Sequence, residues 1–591
     1  MASFVVAALI AVLVLPSALN IPQSNPTEVV EFAPVPPEED ALPQDGSLSE
    51  LGLGTTSSLT TGADADVPLP PPLGAVGRGE RPVSKRCVGD PPRQTEDPNS
   101  PPCVPFFEGN NGGATWQGVT EDEVTILLYV QGYQRTNGTA SPGGGTYCDV
   151  DGKPPDSVEE CFESQRQLGD HEMLTVARAM SAYFRERFQL YDRKPHLWVY
   201  YSSASSASGR RADAHDNWET LKPFAVVDYA FFGGFNDIYA DAMAKRRVSV
   251  YGNFGTIRND FYRRNAPYVW SFFPDVEHAV ENYVSYVCQK VAPHPNVLHG
   301  RQNPGGPRRY ALMRYGGNEH EGLRFFGELA AKSLRAGCPS GARLNIVDEV
   351  LFPRHQFTID AHPEARPAAQ QNVASMMAEQ VTTVLWLGGF EAQHSQIAFE
   401  QGWFPEWVLA GDGLNDSTNF ARAQQQEVWR HAWVASNQLR VDRSEDEPCR
   451  MSFREARPRG TELEEDLYCD VYRPFFMLFR GVQLSGPRLT PFTVEQGNSA
   501  ISPKASTDPY TAACFFDTND YSCVKDAIEI WWNSDAPDPN GNVEDMGCYR
   551  MVRGGSRFLA WEWEGDGTEV FSTTSHQCNN YQGGAGFIGT P

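Results

Sequence analysis

The stretch Arg247-Val-Ser-Val-Tyr251 followed by Gly252-Asn-Phe-Gly-Thr256, entered from Asn236-Asp-Ile-Tyr-Ala-Asp-Ala-Met-Ala-Lys245, decides the fold class. A ten-residue helical segment leads into a short apolar strand, and the strand ends on a glycine turn. A strand bounded so closely by a helix and a turn belongs to a βα unit, which needs a parallel partner and helices over both faces.

The same rhythm extends in both directions. Upstream, Glu123-Val-Thr-Ile-Leu-Leu-Tyr-Val130 is a buried strand. Glu172 to Leu190 is a helix, because Met173, Val176, Ala177, Met180, Phe184 and Phe188 recur at three- and four-residue spacing. His196–Tyr201 is a strand, Ala212–Lys222 a helix and Ala225–Phe232 a strand. Downstream, helices over Val276–Val291, Glu319–Ala336, Ala368–Gln380 and Glu391–Gln401 alternate with strands at Arg309–Tyr315, Arg343–Val347, Thr383–Leu387 and Trp407–Ala410. A long helix is expected from Glu462 to about Val482, another from Cys523 to Trp532, and short strands and loops in the Gly- and Trp-rich tail. The expectation is an α/β protein whose sheets are mostly parallel and covered on both faces.

At 591 residues, with 33 Phe, 22 Tyr and 13 Trp, the chain has material for two lobes rather than one core. Its net charge is −26, from 49 basic and 75 acidic residues. That balance argues against nucleic acid and against an anionic lipid surface, both of which need Lys/Arg neutralisation. Residues Ala2 to Leu15 are small or apolar, and no charge precedes Glu28. Residues 1–19 read as a signal peptide or an anchor, and the chain as exported to the cell envelope or beyond. From 20 to 102 the sequence is rich in Pro, Gly, Ser and acid and includes Val67-Pro-Leu-Pro-Pro-Pro-Leu73. Such a segment buries too little apolar surface to offset its ordering entropy and reads as a linker.

The twelve cysteines are Cys87, Cys103, Cys148, Cys161, Cys288, Cys338, Cys449, Cys469, Cys514, Cys523, Cys548 and Cys578. No C-x-x-C pair suggests zinc or redox chemistry. Taken in order they form six neighbouring pairs, so sequential disulfides are the working expectation.

Enzyme signatures are absent: no G-x-S-x-G, no H-E-x-x-H and no phosphate-binding G-x-x-x-x-G-K-[ST]. His171-Glu172 and His320-Glu321 lack the second histidine of a zinc helix. Asp535-Ala-Pro-Asp538-Pro-Asn540-Gly541-Asn542 departs from the calcium-loop spacing and reads as a solvated turn. Glu562 and Glu564 sit two apart, a common pattern in so acidic a chain. No catalytic residue, metal or cofactor is therefore expected. Ligands of open α/β sheets bind beyond the carboxyl ends of the strands. That rule selects Gln131 and Tyr133, Gly234 and Phe235, Asn253, Phe254 and Thr256, Phe390, and Asp412. Glycines at those turns let a ligand approach the backbone, and aromatic walls suit a small molecule.

In order along the chain, Gly118-Val-Thr-Glu-Asp-Glu-Val-Thr-Ile126, Gly234-Phe-Asn-Asp-Ile-Tyr-Ala240, Arg247 to Thr256, Asn265-Ala-Pro-Tyr-Val-Trp-Ser-Phe-Phe-Pro-Asp275, Leu385-Trp-Leu-Gly-Gly-Phe390 and Ala410-Gly-Asp-Gly-Leu414 resemble the leucine/isoleucine/valine-binding family of ABC-transporter substrate-binding proteins. The Trp531-Trp532 segment and Gly554-Gly-Ser-Arg-Phe558 resemble the C-terminal part of actinobacterial members. The resemblance runs from about Gly118 to Trp563. It implies the type I periplasmic-binding fold, with two doubly wound parallel-sheet lobes joined by a multi-strand hinge. The implied first lobe is 103–275 plus 440–535, the second 276–439 plus 536–575, and the tail 576–591. It also implies a small-molecule ligand clamped between the lobes and an ABC permease as partner. Phe254 and Thr256 would face the ligand from the first lobe, with Gly234 and Phe235 forming the adjoining turn, and Phe390 and Asp412 would approach from the second. Asp412 is placed to hold an ammonium group. The family's Ser-rich turn is Gly-Gly-Phe-Asn here, which leaves an amino-acid-like ligand and a larger apolar or aromatic one both open. A secreted hydrolase on a similar α/β scaffold, and an envelope scaffold without a ligand, stay open as alternatives.

Overall fold

The structure, a computed structural model, describes residues 87–89, 92–105, 107–136, 139–142, 145–151, 160–165, 172–230, 236–296, 300–318, 320–353, 365–389, 391–411, 415–439, 447–456, 465–501, 506, 510–537, 546–565, 570–571 and 578–579. The signal-like segment and the polyproline run lie outside the described residues.

Strand β1 (Glu123–Gln131) is followed by a small antiparallel hairpin, β2 (Tyr133–Thr136) and β3 (Thr139–Pro142), and by β4 (Thr146–Asp149). Helix α1 (Glu172–Arg187), β5 (Lys194–Ser202), α2 (Ala207–Leu221), β6 (Ala225–Tyr229), α3 (Asn236–Ala244), β7 (Ser249–Gly252), α4 (Asn259–Arg264) and β8 (Val269–Ser271) complete the first sheet. Its order is β4-β5-β1-β6-β7-β8, with only the β4–β5 pair antiparallel.

After α5 (Val276–Tyr286), which runs on as a π-helical turn over Val287–Val291, comes a second set of βα units. They are β9 (Tyr310–Tyr315), α6 (Glu321–Ala336), β10 (Ile346–Phe352), α7 (Arg366–Ala378), β11 (Thr383–Leu387), α8 (Gln393–Glu400), β12 (Glu406–Ala410), α9 (Thr418–Arg422), α10 (Gln426–Trp429) and β13 (Ala432–Ser436). Helices α11 (Pro448–Ala456), α12 (Glu465–Leu484) and α13 (Pro491–Ser499) precede β14 (Asp526–Pro537), β15 (Met546–Met551), β16 (Arg557–Leu559) and β17 (Cys578–Asn579). The second sheet runs β10-β9-β11-β12-β13-β14-β15-β17, with β16 beside β14. It is parallel as far as β13 and antiparallel beyond.

Both sheets thus carry the doubly wound order in which the second strand lies outside the first and the third strand lies on its other side. The sequence pattern explains why both faces are covered. In β9, Tyr310 and Leu312 enter one core while Ala311, Met313 and Tyr315 enter the other; in β11, Leu385 and Leu387 oppose Val384 and Trp386. A period of two with no polar face has to be sandwiched between helix layers. Helix α12 returns late in the chain to close the first core, where Phe479 stacks on Phe184 of α1 with ring centroids 4.5 Å apart.

Several expectations need correction. Cys523–Trp532, expected as a helix, becomes the approach to β14 and the strand itself. Asp526 to Trp532 is buried on both faces and pairs antiparallel with β13 and β15. A short apolar run has no periodicity that separates strand from helix, and its Ile528, Ile530 and Trp pair suit a sheet. The first lobe therefore does not extend to 535, because 526–535 belongs to the second sheet. Cys578–Asn579, placed in a tail, pairs with β15. At the other end, residues 92–102, placed in the linker, pack on the first lobe. Gln94, Thr95 and Asp97 are buried, and Asn99 donates to the Ala512 carbonyl at 2.8 Å. The six disulfides are the sequential ones: Cys87–Cys103, Cys148–Cys161, Cys288–Cys338, Cys449–Cys469, Cys514–Cys523 and Cys548–Cys578. Among the described residues no helix is long and apolar enough to cross a membrane.

Candidate functional site

Doubly wound sheets open a crevice where strand order reverses, beyond the carboxyl ends of the two strands flanking the switch. In the first sheet those strands are β1 and β6, in the second β9 and β11. The chain passes between the sheets at 271–276, between β13 and α11, and at 520–526. The first and third crossings pair as a parallel ladder, in which Ser271 N–H donates to Tyr521 O, Cys523 N–H to Ser271 O and Val524 N–H to Phe272 O, each at 2.9 Å.

Charged side chains fix these crossings. Asp275, fully buried, accepts from the His278 backbone N–H at 2.8 Å and from Asn259 Nδ2 at 2.6 Å, and lies 3.0 Å from His278 Nδ1. Lys525 Nζ donates to Asp520 Oδ2 and to the Ser522 carbonyl, both at 2.5 Å. Burial alone would raise the Asp275 carboxyl, but hydrogen bonds and charge from His278 bring it down to about 2. His278 rises in turn: burial opposes its charge and Lys525 repels it, while Asp275 and Asp520 outweigh both. The second crossing is held by Arg557, which donates to Gln438 O at 2.7 Å and to Asp526 Oδ1 at 2.8 Å.

At the first switch point Gln131 is buried, with both ends of its amide used inside the protein. Its Nε2 donates to Ser202 O at 3.0 Å, and its Oε1 accepts from Arg210 Nη2 at 2.8 Å. Arg210, fully buried, also donates to Ala230 O (3.0 Å) and to the Tyr129 hydroxyl (2.6 Å). Tyr129, Tyr200 and Ser202 all donate to Asp213, at 2.6, 2.9 and 2.5 Å. This network ties the ends of β1, β5 and β6 to α2, giving the crevice a rigid floor. Beside it Asp228 is buried; its Oδ1 accepts from Ala230 N–H and Asn236 Nδ2, each at 2.9 Å, and its Oδ2 has no partner among the described residues. Desolvation pushes this carboxyl up to about 6, against the pull of the Ala230 N–H and Arg210.

The other expected contacts divide into two groups. Gly234, Phe235, Phe390 and Asp412 lie outside the described residues, and for Tyr133 only the backbone, in β2, is described. Asn253, Phe254 and Thr256 fall together on the turn after β7. Asn253 donates from Nδ2 to Asp470 O at 2.8 Å, and its buried Oδ1 has no partner among the described residues. Phe254 is buried with its ring over Gly252, where a Cβ would lie 2.7 Å from it. Thr256 has φ = 56° and meets the second lobe, its carbonyl oxygen lying against Gly322 in the first turn of α6.

Residues the sequence reading missed cluster here. Arg258 lays its guanidinium over Phe325 of α6, 4.1 Å from the ring centroid. Asp237, at the start of α3, is raised by burial and further by Asp241 and by Glu321 at the start of α6. The only sequence signal was Gly322 inside an otherwise good helical pattern, a residue that costs helix stability unless something approaches closely. Among the described residues Asp275, His278 and Asp520 form one possible cation cluster, and Lys525 already supplies its positive charge.

No family model matches the chain. No curated protein matches it. Solved structures do. A possible leucine/isoleucine/valine-binding protein from Rhodopirellula baltica SH 1 is 12% identical, with a TM-score of 0.39 over 72% of this chain and 96% of that one. An ABC-transporter substrate-binding protein from Aeropyrum pernix is 10% identical, with a TM-score of 0.46 over 74% and 96%. An ABC-transporter solute-binding protein from Rhodopseudomonas palustris HaA2, in complex with p-hydroxybenzoic acid, is 11% identical, with a TM-score of 0.44 over 74% and 98%.

Proposed function

We propose that this chain is an exported solute-binding protein that clamps a small molecule between its two lobes, for ABC-type uptake or for sensing. The supporting observation is the pairing of two doubly wound sheets through three crossings, with the turn after β7 of one lobe touching the start of α6 on the other. A crevice bounded by two switch points and able to change width at a hinge suits capture and release of a solute. Asn253, Phe254 and Thr256 would meet the ligand from the first lobe, with Gly234 and Phe235 adjoining. Phe390 and Asp412 would meet it from the second.

The ligand class is amino-acid-like, or a larger apolar or aromatic molecule. Acids favour a cationic group on it: the Asp228 Oδ2 near the end of β6, which has no partner among the described residues, and Asp237, whose carboxyl burial raises. Asp412 would pair with that group.

Thermal unfolding of the full chain against amino acids, short peptides, amides, aromatics and sugars tests the reading. A ligand at about 100 times its Kd stabilises the fold by roughly 2.7 kcal/mol. A raised midpoint with one chemical class supports the binder and names its substrate. No shift with any of them favours the scaffold alternative.

A further inference from the structure

Thr256 combines two features that rarely occur together. It is β-branched, and its φ of 56° lies in the left-handed region, which such residues avoid. Strain of this kind persists only where the surroundings over-determine it, and it concentrates at ligand clamps and switches. The surroundings here belong to the other lobe. The Thr256 carbonyl oxygen lies so close over Gly322 that a Cβ on that residue would collide with it. Two residues further on, Arg258 stacks on Phe325, one turn along the same helix. Ile257, between them, accepts the Val276 N–H at 3.0 Å, which anchors the turn to the first crossing. Arg258 Nε lies 3.4 Å from Asp260 Oδ1, a side chain about half exposed.

We infer that Gly322 and Arg258 are positioning residues that set ligand affinity, holding the lobes together so that Thr256 adopts its strained conformation only in the closed state. This rests on the clamp reading, because affinity is the quantity it explains. Gly322 permits the backbone approach, and Arg258 draws α6 onto the turn through a cation–π contact. When the lobes part, both contacts go and Thr256 relaxes. Binding energy then has to restore the strained turn, so the apparent affinity falls with the closed fraction.

The test measures lobe separation without any ligand. Spin labels at Glu219→Cys on α2 and Gln371→Cys on α7, both exposed, report the distance between lobes in the full chain. The labelled parent is expected to show a dominant short-distance population. Gly322→Ala is expected to move most of it to longer distance, and Arg258→Ala part of it. Arg258→Lys keeps the cation over Phe325 and should restore the short distance, a rescue that generic destabilisation would not give. Unchanged distances in both Gly322→Ala and Arg258→Ala overturn the inference. So does failure of Arg258→Lys to differ from Arg258→Ala. For a ligand found by the unfolding panel, Gly322→Ala should cost about tenfold in Kd, or ~1.4 kcal/mol. If the panel finds no ligand the clamp reading fails, while the distances still decide whether these residues hold the lobes closed.

Discussion

Replacing Asp275 with Asn removes one charge from the point where the first and third crossings meet. The carboxyl is fully buried, accepts from His278 N–H and Asn259, and sits at about 2 against an ordinary 3.8. A depression of that size stores about 2 kcal/mol of stability. Because the folded value is the lower one, the contribution is complete above about pH 4 and is lost as the pH falls toward 2. His278 has the opposite sign. Its folded value is raised, so its contribution is complete below its ordinary 6.5 and is lost as the pH climbs through the raised value. The parent should therefore exceed Asp275→Asn by most between about pH 4 and 6.5, and the gap should narrow on both sides. Unfolding midpoints in urea, taken at half-unit pH intervals for both proteins, give the comparison. A gap constant from pH 3 to 8 would refute the reasoning, since it would mean that shape rather than charge holds the crossing.

Other outcomes follow from the same geometry. Arg210→Met leaves the acceptors at Gln131, Ala230 and Tyr129 unmet and should lower stability by about 3 kcal/mol, read from denaturant unfolding. The Asp228 carboxyl, losing the attraction of Arg210, should titrate still higher, which carbon-13 NMR of the labelled side chain would follow. Replacing Cys288 and Cys338 by Ser opens a loop of 50 residues and should cost about 4 kcal/mol in the chain-entropy account, while the denatured, unreduced parent should show no reactive thiol. Asp412→Ala should abolish binding of a cationic ligand found by the panel; unchanged affinity would remove Asp412 from the site.

The parallel α/β architecture was legible because it is written in local period. Strands such as Leu385–Leu387 are apolar on both faces, and helices such as α1 repeat their large residues every three or four positions. The order of the cysteines suggested sequential disulfides, but spacing cannot fix connectivity, and the pairing is settled by the folded positions of the twelve residues. What the sequence hid depends on partners far along the chain. Asp526–Trp532 carries no periodicity that separates strand from helix, and its neighbours β13 and β15 decide the matter. Residues 92–102 look like linker by composition, yet the Cys87–Cys103 bridge and contacts to Ala512 and Gln483 fold them down. In the site, the turn from Gly252 to Thr256 announced itself through its glycines. Arg258, Gly322 and Phe325 did not, because their meaning lies in a contact between segments more than 60 residues apart. Gln131 was chosen by its place at the end of a strand, and nothing in its neighbourhood of sequence indicates that Arg210 engages its carbonyl.

The central claim is that a solute sits in the crevice between the two lobes and is held by both. A crystal structure of the full chain with the molecule that stabilises it tests this most directly. The account predicts that molecule beside Asn253 and Thr256 on one side and beyond the carboxyl ends of β11 and β12 on the other. A ligand bound anywhere else, with the crevice holding none of it, would contradict the account.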